Sequence, residues 1–185
     1  MAVINVVGVD PSLSNFGFAE AKFDTDTGKV FDVNLYLCEA PPPPKNKQVR
    51  QNSVDLERAK GLYQALKSTL KNADIVFVEL PVGSQTARAM ASYGVCIGLF
   101  ASVSKPIIQV TASEVKVAGA GYKNATKAEM ISWATTKHPE ANWLTTKSKG
   151  VITHIAKNEH LADALAAIYA GLVTSEFLQA KAFIK

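Results

Sequence analysis

A chain of 185 residues, 48% of them hydrophobic, is long enough for one domain with a substantial core and needs no disulfide framework to hold it. That composition excludes a disordered chain, and no segment reaches the apolar length of a membrane span. The formal charge of +4 permits a polyanionic partner without requiring one, and the lysines concentrate between Lys105 and Lys157, where acids are sparse.

The opening MAVINVVGVD lacks the basic region and the A-x-A site of a secretory leader, so a cytoplasmic protein is expected. Its β-branched run over 3–10 predicts a central buried strand. FGFAEAKF (16–23) and VFDVNLYLCE (30–39) alternate and flank the turn-rich DTDTGK, which predicts antiparallel hairpin strands. PPPPK (41–45) reads as an extended connector. Apolar Val54, Leu56, Leu62, Leu66 and Leu70 recur at helical spacing and predict an amphipathic helix over 49–70. ADIVFVEL (73–80) is the fourth strand, 84–104 a helix rich in small residues, and PIIQV (106–110) the fifth strand.

A short capped helix follows over 111–116, then one over 123–138, with Thr126 as N-cap, Glu129 completing a capping box and Pro139 ending it. Residues 140–157 show no clear period and read as a loop, and NEHLADALAAIYAGL (158–172) predicts a long buried helix. Cys38 and Cys96 sit in apolar surroundings with no metal-binding spacing and read as buried thiols in a reducing compartment. The order β-β-β-α-β-α-β-α-α predicts an α/β mixed sheet of five strands, three antiparallel and then parallel crossovers, flanked by helices in a single domain over 1–185.

In such a sheet, catalytic groups gather at the carboxyl ends of adjacent parallel strands. Asp10 ends the first strand and Glu79 the fourth, so two acids face one crevice. The final helix opens with Glu159, His160 and Asp163, and a carboxylate on an apolar helical face needs a partner. Packed across the crevice, that helix adds His160 and Asp163 to the two acids. Carboxylates so close repel one another, whereas a divalent cation reverses the sign of the interaction. Oxygen ligands without cysteine favour Mg2+ or Mn2+, with the imidazole leaning to Mn2+, and a pair of such ions serves phosphodiester hydrolysis. Each residue also has a plainer reading. Asp10 before Pro11 fits the start of a turn, Glu79 a solvated strand end, and His160 with Asp163 a charge-balanced helix start.

Three segments, VVGVDPSLSNFGFA, VFVELPVGSQTARAMASYGV and EHLADALAAIYAGL, resemble the signature segments of RuvC-type Holliday junction resolvases of the RNase H-like superfamily. The resemblance runs from Ala2 to Leu172. It implies catalytic and metal-binding roles for Asp10, Glu79, His160 and Asp163 and two ions per site. It implies an endonuclease acting in DNA recombination and repair, which nicks opposed strands of a four-way junction as a homodimer and leaves 5′-phosphate and 3′-hydroxyl ends. It also implies a basic pair beyond the fifth strand, which falls on Lys116 and on Lys127 or Lys123. Arg88, Lys147 and Lys149 are further candidates for DNA contact, as are Lys157 and Trp143, the last also a candidate core anchor. Phe16 or the loop 85–88 is a candidate wedge for the junction centre, although Phe16 alternates with Phe18 as a core residue does. The helix 84–104, with Tyr93 and Phe100, is the candidate dimer face.

Two departures stand out: Ser12 takes the place of a usual glycine, and the loop 140–157, longer than in the bacterial enzymes, is a candidate for altering substrate choice; the short divergent chain would suit a phage-encoded or other mobile-element resolvase. Rival readings are a nuclease of broader branched-DNA or flap specificity, a catalytically silent junction-binding protein, and an actin-like sugar kinase or ATPase. The last needs a second lobe and a second phosphate motif, so no nucleotide cofactor and no membrane partner are expected.

Overall fold

The computed structural model describes residues 2–42 and 49–184, so residues 43–45 of the expected proline connector lie outside the described residues. Strands β1 (Val3–Pro11), β2 (Asn15–Asp24) and β3 (Val30–Glu39) form an antiparallel meander. Helix α1 (Gln51–Thr69) then crosses to β4 (Ile75–Glu79), and α2 (Ala87–Ala101) crosses to β5 (Ile107–Val110), both strands lying parallel to β1. The sheet order is β3-β2-β1-β4-β5. Helices α3 (Ala112–Ala120) and α4 (Lys127–Lys137) follow, each opened by a complete capping box, Thr111 with Glu114 and Thr126 with Glu129. Helices α5 (Asn158–Gly171) and α6 (Ser175–Lys181) close the chain.

Two elements differ from expectation. The segment 140–157 holds a hairpin, β6 (Thr145–Ser148) paired with β7 (Val151–His154), and α6 is a separate short helix. Leu56, expected on the buried stripe of α1, is exposed; Val54, Leu62, Ala65 and Leu66 supply that stripe.

Strand periodicity sorts the interior into two cores. Val7, Val9, Val76 and Val78 face α1 and α2. Ile4, Val6, Ile75 and Phe77 face α5 and the helices around it. The same parity continues beyond the apolar residues. Asp10 follows Val6 and Gly8, and Glu79 follows Ile75 and Phe77, so both acids emerge on the α5 face. In β3 the alternation breaks at Asp32, whose φ of 57° accompanies a shift of register, and Val30 and Val33 reach the same core across it.

Helix α5 is buried along nearly its whole circumference, between the sheet on one side and α3 and α4 on the other. Alanines at 162, 164, 166 and 167 let it lie close, and the sheet answers with glycine. A Cβ on Gly8 would meet the Ala164 carbonyl oxygen at 1.9 Å, and one on Gly17 the His160 carbonyl oxygen at 2.2 Å. Both glycines bring the chemistry-bearing end of α5 onto β1 and β2.

Candidate active site

Register places the two strand-end acids side by side. Val9 pairs with Val78 across the parallel β1–β4 ladder, and Asp10 and Glu79 come next on each strand. Helix α5 starts over this point, because Gly17 admits its first turn to the sheet surface. His160 Nδ1 lies 2.7 Å from Asp10 Oδ2. With Nδ1 donating to that carboxylate, Nε2 of the neutral ring accepts from the Asn15 side-chain amide, 3.4 Å away.

The electrostatics are those of crowded acids. Burial pushes Glu79 up to about 7, with the charges of Asp10 and Asp163 adding and Lys116 opposing. Asp163 is pushed up to about 7 by burial and Asp10, against the pull of His160 and Lys116. His160 is raised by its hydrogen bond to Asp10, against burial. Asp163 Oδ1 is buried with no hydrogen-bond partner. A neutral acid or a nearby cation relieves that orphaned acceptor; an isolated carboxylate there is costly.

The donor set of three carboxylates and an imidazole suits a hard divalent cation in kind, and the orphaned oxygen is the acceptor such an ion satisfies. Among the described residues no three His, Cys, Asp or Glu side chains already converge as a metal cage. The Asp10–His160 hydrogen bond engages two of the donors instead.

The candidate DNA contacts fall in distinct places. Lys116 is half-buried on α3 and close enough to depress both Glu79 and Asp163. Lys127 begins α4 and pairs with Glu159 at 2.7 Å; Glu159 lies 3.6 Å from His160 Nε2, so this lysine is tethered to the rim. Lys123 is exposed on the α3–α4 connection. Arg88 is held by both oxygens of Asp55. Lys147 lies on β6 and Lys149 at the hairpin turn, while Lys157 pairs with Glu39.

Three expectations resolve toward packing. Phe16 is 0% exposed and stacks on Phe100 at 5.9 Å, so it is a core residue and not a wedge, and Phe100 cannot belong to an outward dimer face. Trp143 is buried, its Nε1 donating to the His138 carbonyl, so it anchors the core. Both cysteines are free; Cys96 is buried as expected, and burial pushes its thiol up to about 11, which leaves it protonated and inert, whereas Cys38, expected buried, is half-buried near the end of β3. Sequence reasoning assigned no role to Asn15, although its position after DPSLS was visible. Only the β2 pairing shows that it shares the face of Gly17 and reaches His160.

No family model matches the sequence, and no curated protein matches it in sequence either. Solved structures match it in fold. Thermus thermophilus RuvC in complex with a Holliday junction substrate has TM-score 0.58 at 18% identity, over 90% of this chain and 92% of that one. A second structure of Thermus thermophilus RuvC has TM-score 0.55 at 20% identity, over 100% of this chain and 99% of that one. The fowlpox virus resolvase in complex with Holliday junction DNA has TM-score 0.51 at 14% identity, over 92% of this chain and 100% of that one. The five-stranded mixed sheet with α5 across its carboxyl edge is therefore the RNase H-like fold of RuvC.

Proposed function

We propose that this chain is a metal-dependent endonuclease that resolves four-way DNA junctions by paired nicks in opposed strands. The observation that carries the reading is that Asp10, Glu79, His160 and Asp163, from two strand ends and one helix, lie near enough to act on one another's charge. That two structures of the same fold hold Holliday junction DNA supports the choice of substrate.

Bound divalent cations, Mg2+ or Mn2+, would supply an activated water and offset the charge on the leaving oxygen. Asp10, Glu79, His160 and Asp163 would hold them. The chain's own groups do the rest. Asp10 fixes the His160 ring through Nδ1, so Nε2, which accepts from Asn15 at 3.4 Å, carries the one lone pair that His160 would offer an ion in exchange for that contact. Lys116 opposes the negative charge of the cluster, and Lys127 and Lys123 present ammonium groups to phosphates beside it. Two opposed nicks call for two sites, which a two-fold homodimer provides most simply. The exposed side of α2, carrying Met90, Gly94 and Ile97, is the proposed contact.

The test is cleavage of a labelled synthetic four-way junction beside a matching linear duplex, with Mg2+, with Mn2+ and with chelator. Paired, metal-dependent nicks in the junction alone are expected. Tight junction binding without cleavage in either metal would leave a recognition protein on a nuclease fold.

A further inference from the structure

The hairpin β6–β7 takes no part in either core. Every residue of its two strands is exposed, including Val151 and Ile152 at 61% and 67%. Free hairpins of this size are marginal in water, so its order has other causes. Its turn is one. Lys149 and Gly150 both have positive φ, 49° and 83°, as a two-residue turn matching the strand twist requires. Its root is the other. Asn158, 0% exposed at the head of α5, accepts from Leu144 N at 3.0 Å and donates to Leu144 O at 2.7 Å. Lys157 adds an ion pair to Glu39, which sits opposite Asn15 in the β2–β3 pairing, and Asn15 in turn reaches His160.

The ribbon thus projects from a rigid base two residues before His160. Register sorts its side chains. Lys147 opposes Ile152 and Thr145 opposes His154, which puts those four on one face; the other face carries hydroxyls and Val151. Between Glu140 and Glu159 the sequence holds no acid, and among the described residues no carboxylate pairs with Lys147 or Lys149. Unpaired basic groups and exposed β-branched residues on an ordered ribbon beside a nuclease site describe a polyanion contact.

Resting on the nuclease reading above, we infer that the hairpin is a DNA-binding arm that lies along a duplex arm of the junction next to the cleaved strand. Lys147 and Lys149 contact phosphates, and Ile152 packs on the groove wall between them. A two-stranded antiparallel ribbon fits the major groove of a duplex. A protein partner is the weaker choice for this surface, because the segment offers it positive charge and nothing negative.

Two variants test this. K147A/K149A changes only exposed side chains. In the second, Asn-Gly replaces 145–154, a replacement that the 3.2 Å hydrogen bond from Ile155 N to Leu144 O makes sterically simple. Both should keep the wild-type melting temperature. K147A/K149A should weaken junction binding about tenfold and lower the slope of log Kd against log salt by about 2, one for each lost phosphate contact. The deletion should do at least as much. Wild-type affinity and salt slope in K147A/K149A would overturn the inference and leave the nuclease reading standing. A wild-type chain that neither binds nor cuts a junction would remove both.

Discussion

At Asp163 a buried carboxylate oxygen lacks any donor, on a helix whose neighbouring buried residues, 161–168, are alanine, leucine and isoleucine. A stability role would favour replacing it; a catalytic role forbids that. Asp163→Asn is therefore expected to cut junction cleavage by on the order of a thousand-fold while leaving junction affinity near wild type. Unchanged cleavage in a gel assay would remove Asp163 from the site. The crowding also sets a pH dependence. Glu79 and Asp163 stand near 7 in the folded chain against 4.5 and 3.8 ordinarily, so between those values the folded state holds protons the unfolded state has lost. Stability without metal falls as pH rises from about 4 to about 7, by roughly 1.4 kcal/mol per pH unit for each group at most. His160, also raised, adds stability below its unfolded value that is lost as pH climbs through the folded one, in the same direction. Thermal melts in chelator should show a falling Tm over that range, and added Mg2+ or Mn2+ should raise Tm far more at pH 8 than at pH 5. Asp10 and Glu79 were legible because a strand's end and its parity are written in its alternation. Asn15 was not, since its contact spans 145 residues and depends on the β1–β2 register.

Helix α5 and the hairpin before it show where legibility stops at the level of elements. An apolar run with a charged first turn announces a buried helix. TTKS and VITH announce little, because their alternation sets hydroxyls against a lysine or a histidine, and Lys-Gly is a weaker turn signal than Asn-Gly. The hairpin exists through its turn and through Asn158, which no period reveals. Asn158→Ala would orphan the Leu144 amide and leave the Leu144 carbonyl only its bond from Ile155 N at the hairpin root. It is expected to cost about 2 kcal/mol, near the sum of two lost bonds. Urea melts measure that loss, and amide shifts confined to 144–158 would locate it.

At the scale of the molecule, hydrophobic pattern and connection rules suffice for a mixed sheet of three antiparallel strands and two parallel crossovers, because short turns join antiparallel neighbours and a helix between strands makes a parallel crossover; the strand order itself comes from the structure. Assembly is not written so plainly, since the small residues of α2 suit packing on its own sheet as well as on a second copy. Ile97, exposed on α2, separates the two. Ile97→Glu should leave Tm within a degree or two, shift sedimentation toward the monomer, and convert paired nicks into single ones. Sedimentation identical to wild type would move the dimer face elsewhere. Helix α5 carries a last consequence. Wrapped by sheet and helices along nearly its whole circumference, it has little room for local opening beyond its first turn, so its amides from Ala162 to Ala170 should be among the slowest in the chain to exchange with deuterium, near the rate of global unfolding. The hairpin amides, a few residues away, should exchange within the first time points. Asp163 therefore rides on the most persistent part of the molecule, and the geometry around it lasts as long as the fold does.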